Sequence, residues 1–110
     1  MRVHLNRRLT LEAAMRVPDG AGGFAESWQP LGTVWAEILP GRGRDLGRVE
    51  VAVAATACRI TLRAAPPGAV GRPVAGHRLR DTGRVFRVLA VTERDRHGQY
   101  LTCFAEEEQP

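Results

Sequence analysis

Residues 18–28 read Pro18-Asp19-Gly20-Ala21-Gly22-Gly23-Phe24-Ala25-Glu26-Ser27-Trp28, and shortly afterwards comes Val34-Trp35-Ala36-Glu37-Ile38. A glycine-rich turn runs into a short polar segment that carries one Trp. The second Trp stands inside an apolar, strand-like run. Glycine supplies the positive-φ positions that such turns need. Gln29-Pro30-Leu31-Gly32 separates the chain's only two tryptophans. No enzyme motif reads this way, and turn followed by strand is the grammar of a β protein.

Working outward, the same grammar recurs. Leu5, Arg7, Leu9, Leu11 and Ala13 share one phase, while Asn6, Arg8, Thr10 and Glu12 fill the other, which reads as a half-buried first strand. Leu31–Leu39 reads as the second strand, stopped by Pro40-Gly41. Gly41-Arg42-Gly43-Arg44-Asp45-Leu46-Gly47-Arg48 is the least ordered-looking stretch. At Val49–Ala57, alternating valines favour strand and the alanines permit helix, so both stay open. Cys58, Ile60 and Leu62 alternate with Arg59, Thr61 and Arg63. Residues 64–76 form a Pro- and Gly-rich loop. His77–Arg80, the plain turn Asp81-Thr82-Gly83 and Arg84–Val91 read as a hairpin. The second arm of that hairpin is apolar in both phases, as a central strand would be. Tyr100–Ala105 is the last strand. About six short strands, no repeats and no linker predict one all-β domain over residues 1–110. The expected form is a small antiparallel β-barrel with a long loop after the second strand, since closure hides sheet edges.

Composition sets the limits. One hundred and ten residues, 44% hydrophobic and 25% charged, suit one soluble globular domain. Aromatics make up only 5%, so Trp28, Trp35 and Phe86 are read as the core or interface anchors, with Tyr100 and Phe104 as the other large pieces. All 16 basic residues are arginine. That bias fits a GC-rich genome, and it also fits bidentate contact with phosphate or carboxylate. The net charge of +4 is uneven, and Glu106, Glu107 and Glu108 read as an acidic tail. Cys58 and Cys103 have neither CxxC nor His-ligand spacing, so buried free thiols and a reducing cytoplasm are expected. No apolar run is long enough for a helical membrane span, and the N-terminal residues do not read as a signal peptide, so none is expected.

The residues do not assemble a catalytic or metal set, so the expectation is no enzyme and no cofactor. His4, His77 and His97 are scattered and read as solvated surface residues. Ser27, the only serine, lacks a nucleophile-elbow setting. Gly20-Ala21-Gly22-Gly23 lacks the Lys-Ser/Thr of a phosphate loop. Arg42, Arg44 and Arg48 are the best functional candidates, because a Gly-spaced Arg loop can meet phosphates through counterion release. From composition alone, a solvated loop is the preferred reading of them. Arg59, Arg63, Arg84 and Arg87 read as barrel-surface or subunit-contact charges.

Taken together, the pieces resemble the head–tail joining (head-closure, or stopper) proteins of tailed phages and gene transfer agents. The resemblance runs from about Leu5 to Glu106. It rests on Asp19-Gly20-Ala21-Gly22-Gly23, Glu26-x-Trp28, Val34-Trp35-Ala36-Glu37-Ile38, Gly41-Arg42-Gly43-Arg44-Asp45, Ile60-Thr61-Leu62-Arg63 and Gly83-Arg84-Val85-Phe86-Arg87-Val88. Asp45 stands where the family usually has Glu, and Phe86 and Val88 stand where Tyr and Ile are commoner. The resemblance implies a homo-oligomeric ring, hexameric ahead of dodecameric. That ring would lie under a portal adaptor protein, above a tail terminator protein, around packaged double-stranded DNA and away from any membrane. It implies assembly in the bacterial cytoplasm and residence in the virion or gene-transfer particle. Pro40 to about Ala54 would then be the channel loop, with Arg42, Arg44, Asp45 and Arg48 facing DNA or a neighbouring subunit. A small basic β-barrel that binds nucleic acid as a monomer is the competing reading.

Overall fold

Alternating apolar residues build six strands in the computed structural model, which describes residues 2–41 and 57–108. They are β1 Arg7–Pro18, β2 Phe24–Pro40, β3 Ala57–Arg63, β4 Arg78–Arg80, β5 Val85–Glu93 and β6 Tyr100–Glu107. Every neighbouring pair is antiparallel, and the order β1-β2-β3-β6-β5-β4 closes where β4 pairs back onto β1. The described residues contain no helix. The expected all-β barrel is therefore present. Arg42, Arg44, Asp45 and Arg48, together with residues 49–56 of the strand-or-helix stretch, lie outside the described residues; Ala57 opens β3.

The barrel interior is one aliphatic core. Leu9, Leu11, Ala36, Cys58, Ile60, Leu62, Leu79, Phe86, Val88, Leu101, Cys103 and Ala105 are all buried in it. Phe86 is its largest side chain, as the scarcity of aromatics requires. On β6, Leu101, Cys103 and Ala105 point in, Tyr100 and Phe104 stand on the half-buried side, and Thr102 between them is buried as well. Both thiols are free and buried. Burial pushes Cys58 up to about 11 and Cys103 up to about 12, so neither is a nucleophile at neutral pH.

Two bulges correct the simple alternation. Between Val88 and Ala90 the β5–β6 register slips, and Leu89 is the extra residue. The slip moves the inward phase from Phe86 and Val88 to Val91, which explains why both phases of this strand read as apolar. The second slip lies between Leu11 and Glu12, opposite Pro30 and Gly32. Gly32 adopts φ 152° there, and Pro30, which has no N–H to donate, sits beside the irregularity.

Beyond that slip the first two strands run on together. β1 extends past the expected Ala13 to Pro18, and β2 begins at Phe24 instead of Leu31. On β1, β4 pairs only with Thr10, Leu11 and Glu12, so among the described residues the hairpin from Ala13 to Gln29 has no third strand. The supposed polar segment before Trp28 is thus one edge of a two-stranded arm. Asp19 closes its tip: Oδ1 accepts the Ala21 N–H at 2.8 Å and the Gly23 N–H at 3.1 Å. Those bonds hold its carboxyl below the usual range. Gly20 and Gly22 take φ 82° and 87° in the turn, as the sequence required.

Candidate assembly surfaces

Three surfaces stand out. The first is the neck from which the Arg-bearing segment departs. Pro40 pairs with Cys58, and the Gly41 N–H donates to the Ala57 carbonyl at 2.9 Å. A Cβ on Gly41 would meet the Ala57 and Cys58 backbone at 3.1 Å, so glycine permits the close approach. Arg7, Ile38, Arg84 and Glu107 line the same hollow. Arg84 makes a bidentate pair with Glu107 at 2.8 and 3.0 Å, Arg7 pairs with Asp81 at 2.8 Å, and Arg87 lies 3.5 Å from Glu106. The hydrogen bond from Arg84 holds Glu107 below the usual carboxylate range. Glu106 and Glu107 are thus paired residues of β6, not a free acidic tail. Asp81 belongs to more than a plain turn, because it joins the β4–β5 connection to β1.

The second surface is the root of the arm. Glu12 was expected on the solvated phase of β1, yet it is only 3% exposed. Arg78 Nε donates to its Oε1 at 2.5 Å, and Arg80 Nε donates to its Oε2 at 3.0 Å. Burial alone would raise the Glu12 carboxyl. The hydrogen bonds and charges of the two arginines outweigh it and hold the group below its ordinary value. The Arg78 guanidinium also lies over the Trp28 ring, 4.2 Å from its centroid. Trp28 is therefore half-buried as a lid on this cluster and is not part of the barrel core. The sequence did hold one signal for the cluster. Two arginines flanking Leu79 on a short strand must share a face, and a carboxylate on the neighbouring strand would satisfy both.

The third surface is apolar. Trp35 is 54% exposed and so does not serve the barrel core. It pairs with Arg8 on the outward phase of β2, between inward Val34 and Ala36. Leu5, Thr33, Val34, Leu62 and Arg63 complete a shallow groove around it. On the arm, Phe24 (59%), Met15 (43%) and Val17 (39%) are also exposed. Of the three aromatic residues proposed as anchors, only Phe86 lies in the barrel core.

The histidines do not converge with these surfaces. His4 and His97 are exposed. His77 is half-buried, contrary to expectation; burial pushes it down, and its Nδ1 accepts the Val74 N–H at 3.3 Å. Among the described residues, no group of His, Cys, Asp and Glu is placed to hold a metal ion.

A family model for the phage head completion protein matches residues 1–108. The chain belongs to the phage head completion protein family. The resemblance drawn from the glycine turn and the two tryptophans leads to the same place. The role is therefore a structural one tied to the phage head. Among solved structures, the chain is similar to a chain titled "Virion of native gene transfer agent (GTA) particle". The two are 50% identical, with 97% of this chain and 98% of that chain covered and a TM-score of 0.74. It is also similar to a protein from Shigella flexneri 2a solved in solution, at 20% identity. There the coverage is 94% of this chain and 92% of that chain, with a TM-score of 0.68, a likeness of fold alone. No curated protein matches the chain.

Proposed function

We propose that copies of this chain form a ring at the head–tail interface of a tailed phage or gene-transfer particle. In this reading the ring closes the portal channel after packaging, retains the double-stranded DNA and offers the docking surface for the tail. The observation that carries it is the 50% identity, over nearly the whole of both chains, to a chain of a native gene transfer agent virion. The ring, hexameric in the favoured form, sits between a portal adaptor and a tail terminator. Arg42, Arg44 and Arg48, with Asp45 among them, leave the barrel at the Gly41–Ala57 neck and face DNA or a neighbouring subunit. A ring repeats one weak phosphate contact around one DNA end, so avidity replaces individual affinity.

Electron microscopy of particles assembled without this chain tests the proposal. The expected result is DNA-leaking heads separated from complete tails. Intact, DNA-filled, tailed particles would remove the role.

A further inference from the structure

We infer that the β1–β2 arm of one copy seats in the Trp35 groove of the next copy, as a head-to-tail clasp. The inference rests on the ring reading above and names the contact that would hold the ring together. Directly opposed residues of an antiparallel pair share a face. One face of the arm therefore carries Ala14 and Trp28, Arg16 and Glu26, and Pro18 and Phe24; the other carries Ala13 and Gln29, Met15 and Ser27, and Val17 and Ala25. The second face holds no charge. A ribbon of two strands with both faces in water is marginal alone, which calls for a cover on an arm that exposes Phe24, Met15 and Val17.

The same chain offers the cover. The groove formed by Leu5, Thr33, Val34, Trp35, Leu62 and Arg63 is mostly apolar; Arg63 is the one charge in its lining, and Arg8 stands opposite Trp35 on the same face. Its own arm cannot fill it: Phe24 and Trp35 lie on one strand, about 35 Å apart at the usual rise per residue. A knob at one end of a molecule and a matching hollow at the other make a heterologous contact, which propagates head to tail and gives a ring where the rotation between copies closes. Charge completes the match. Glu26 shares the Phe24 face of the arm, and Arg63 lines the groove. Both are exposed, and neither has an ion-pair partner among the described residues. Arg16 lies 4.6 Å over the Phe24 ring on the same face.

The test uses full-length protein in assembled particles. A Phe24→Cys, Thr33→Cys double variant is oxidised in particles and run on a non-reducing gel. The native thiols are buried and do not compete. A ladder of dimer, trimer and higher species, absent from either single variant, is the expected result. A dimer from Phe24→Cys alone would mean a two-fold arm–arm contact and overturn the clasp. Multiple copies per particle by quantitative mass spectrometry with no ladder would overturn the clasp and leave the ring standing. Fewer than two copies per particle would overturn the ring and the clasp with it. Charge exchange gives a second readout that survives poor folding of the cysteine variants. Glu26→Arg and Arg63→Glu are each expected to lower incorporation about tenfold, since a small loss per contact is repeated around the ring. The two changes in one chain restore it. Failure of that rescue would count against the pairing.

Discussion

Glu12 lies on the phase of β1 that simple alternation assigns to solvent, and the Arg78 and Arg80 guanidiniums make it a buried tie instead. Its carboxyl is held below its ordinary value of 4.5. A lowered carboxylate contributes stability that is present above that value and is lost as pH falls through the folded-state value. Glu12→Gln is expected to cost about 2 kcal/mol at neutral pH, because two arginines lose their charged partner. The gap between variant and parent narrows as pH drops below 4.5. Denaturant unfolding at pH 7 and pH 3 checks both statements, and an equal gap at the two values would show that the ion pairs contribute nothing. Trp35 calls for the opposite expectation. Its ring is outside the core, so Trp35→Ala changes the stability of the isolated chain by no more than about 0.5 kcal/mol. The same change reduces incorporation into particles. A large drop in melting temperature of the isolated chain would return Trp35 to a packing role.

At the scale of elements, the β1–β2 arm differs from the barrel it leaves. Its amides past Ala13 and before Gln29 pair only with each other. In the isolated chain they exchange with solvent early, whereas those of β3 and β6, paired on both sides, exchange last. In assembled particles the arm amides slow, and hydrogen-exchange mass spectrometry of both states reads the change directly. Arm amides equally fast in both states would mean that nothing covers them. The arm is also where sequence reading fell short. Strands with one buried face announce themselves, as Cys58, Ile60 and Leu62 do. Phe24–Ser27 has no buried face among the described residues, so no alternation marks it. The turn at Asp19–Gly23 was legible from its glycines, but how far pairing continues beyond a turn is decided by cross-strand partners. Leu89 misled for a related reason: a bulge places an apolar residue outward without leaving a local sign. Of the candidate site, the family and its glycine and tryptophan motifs could be read directly. Of the Glu12 cluster only the two arginines on one face of β4 were legible; their carboxylate partner was not, because it lies 66 and 68 positions away.

The described residues form one closed barrel with a projecting β1–β2 arm, and the chain leaves that barrel at Gly41 and re-enters it at Ala57. The barrel depends on a single aliphatic core with one large aromatic, so Phe86→Ala is expected to cost about 4 kcal/mol, and thermal unfolding measures it. The arm obeys a different rule, because its stretch from Ala13 to Gln29 carries no residue of that core. Gly41 and Ala57 already meet through a backbone hydrogen bond and the β2–β3 ladder that follows. Changes between these two residues are therefore expected to leave barrel closure untouched. Replacing Arg42, Arg44 and Arg48 together with Ala lowers the net charge from +4 to +1 by removing three cations, with the same melting temperature expected. What changes is the assembled state. If the loop meets phosphates, each lost arginine removes one released counterion per copy, and a ring multiplies the loss. DNA retention then falls more steeply at high salt than at low salt. Nuclease protection of packaged DNA across a salt series, alongside particle yield, reads this out. A yield that falls with salt-independent retention would place these arginines against neighbouring subunits. Normal yield with normal retention would remove them from both tasks.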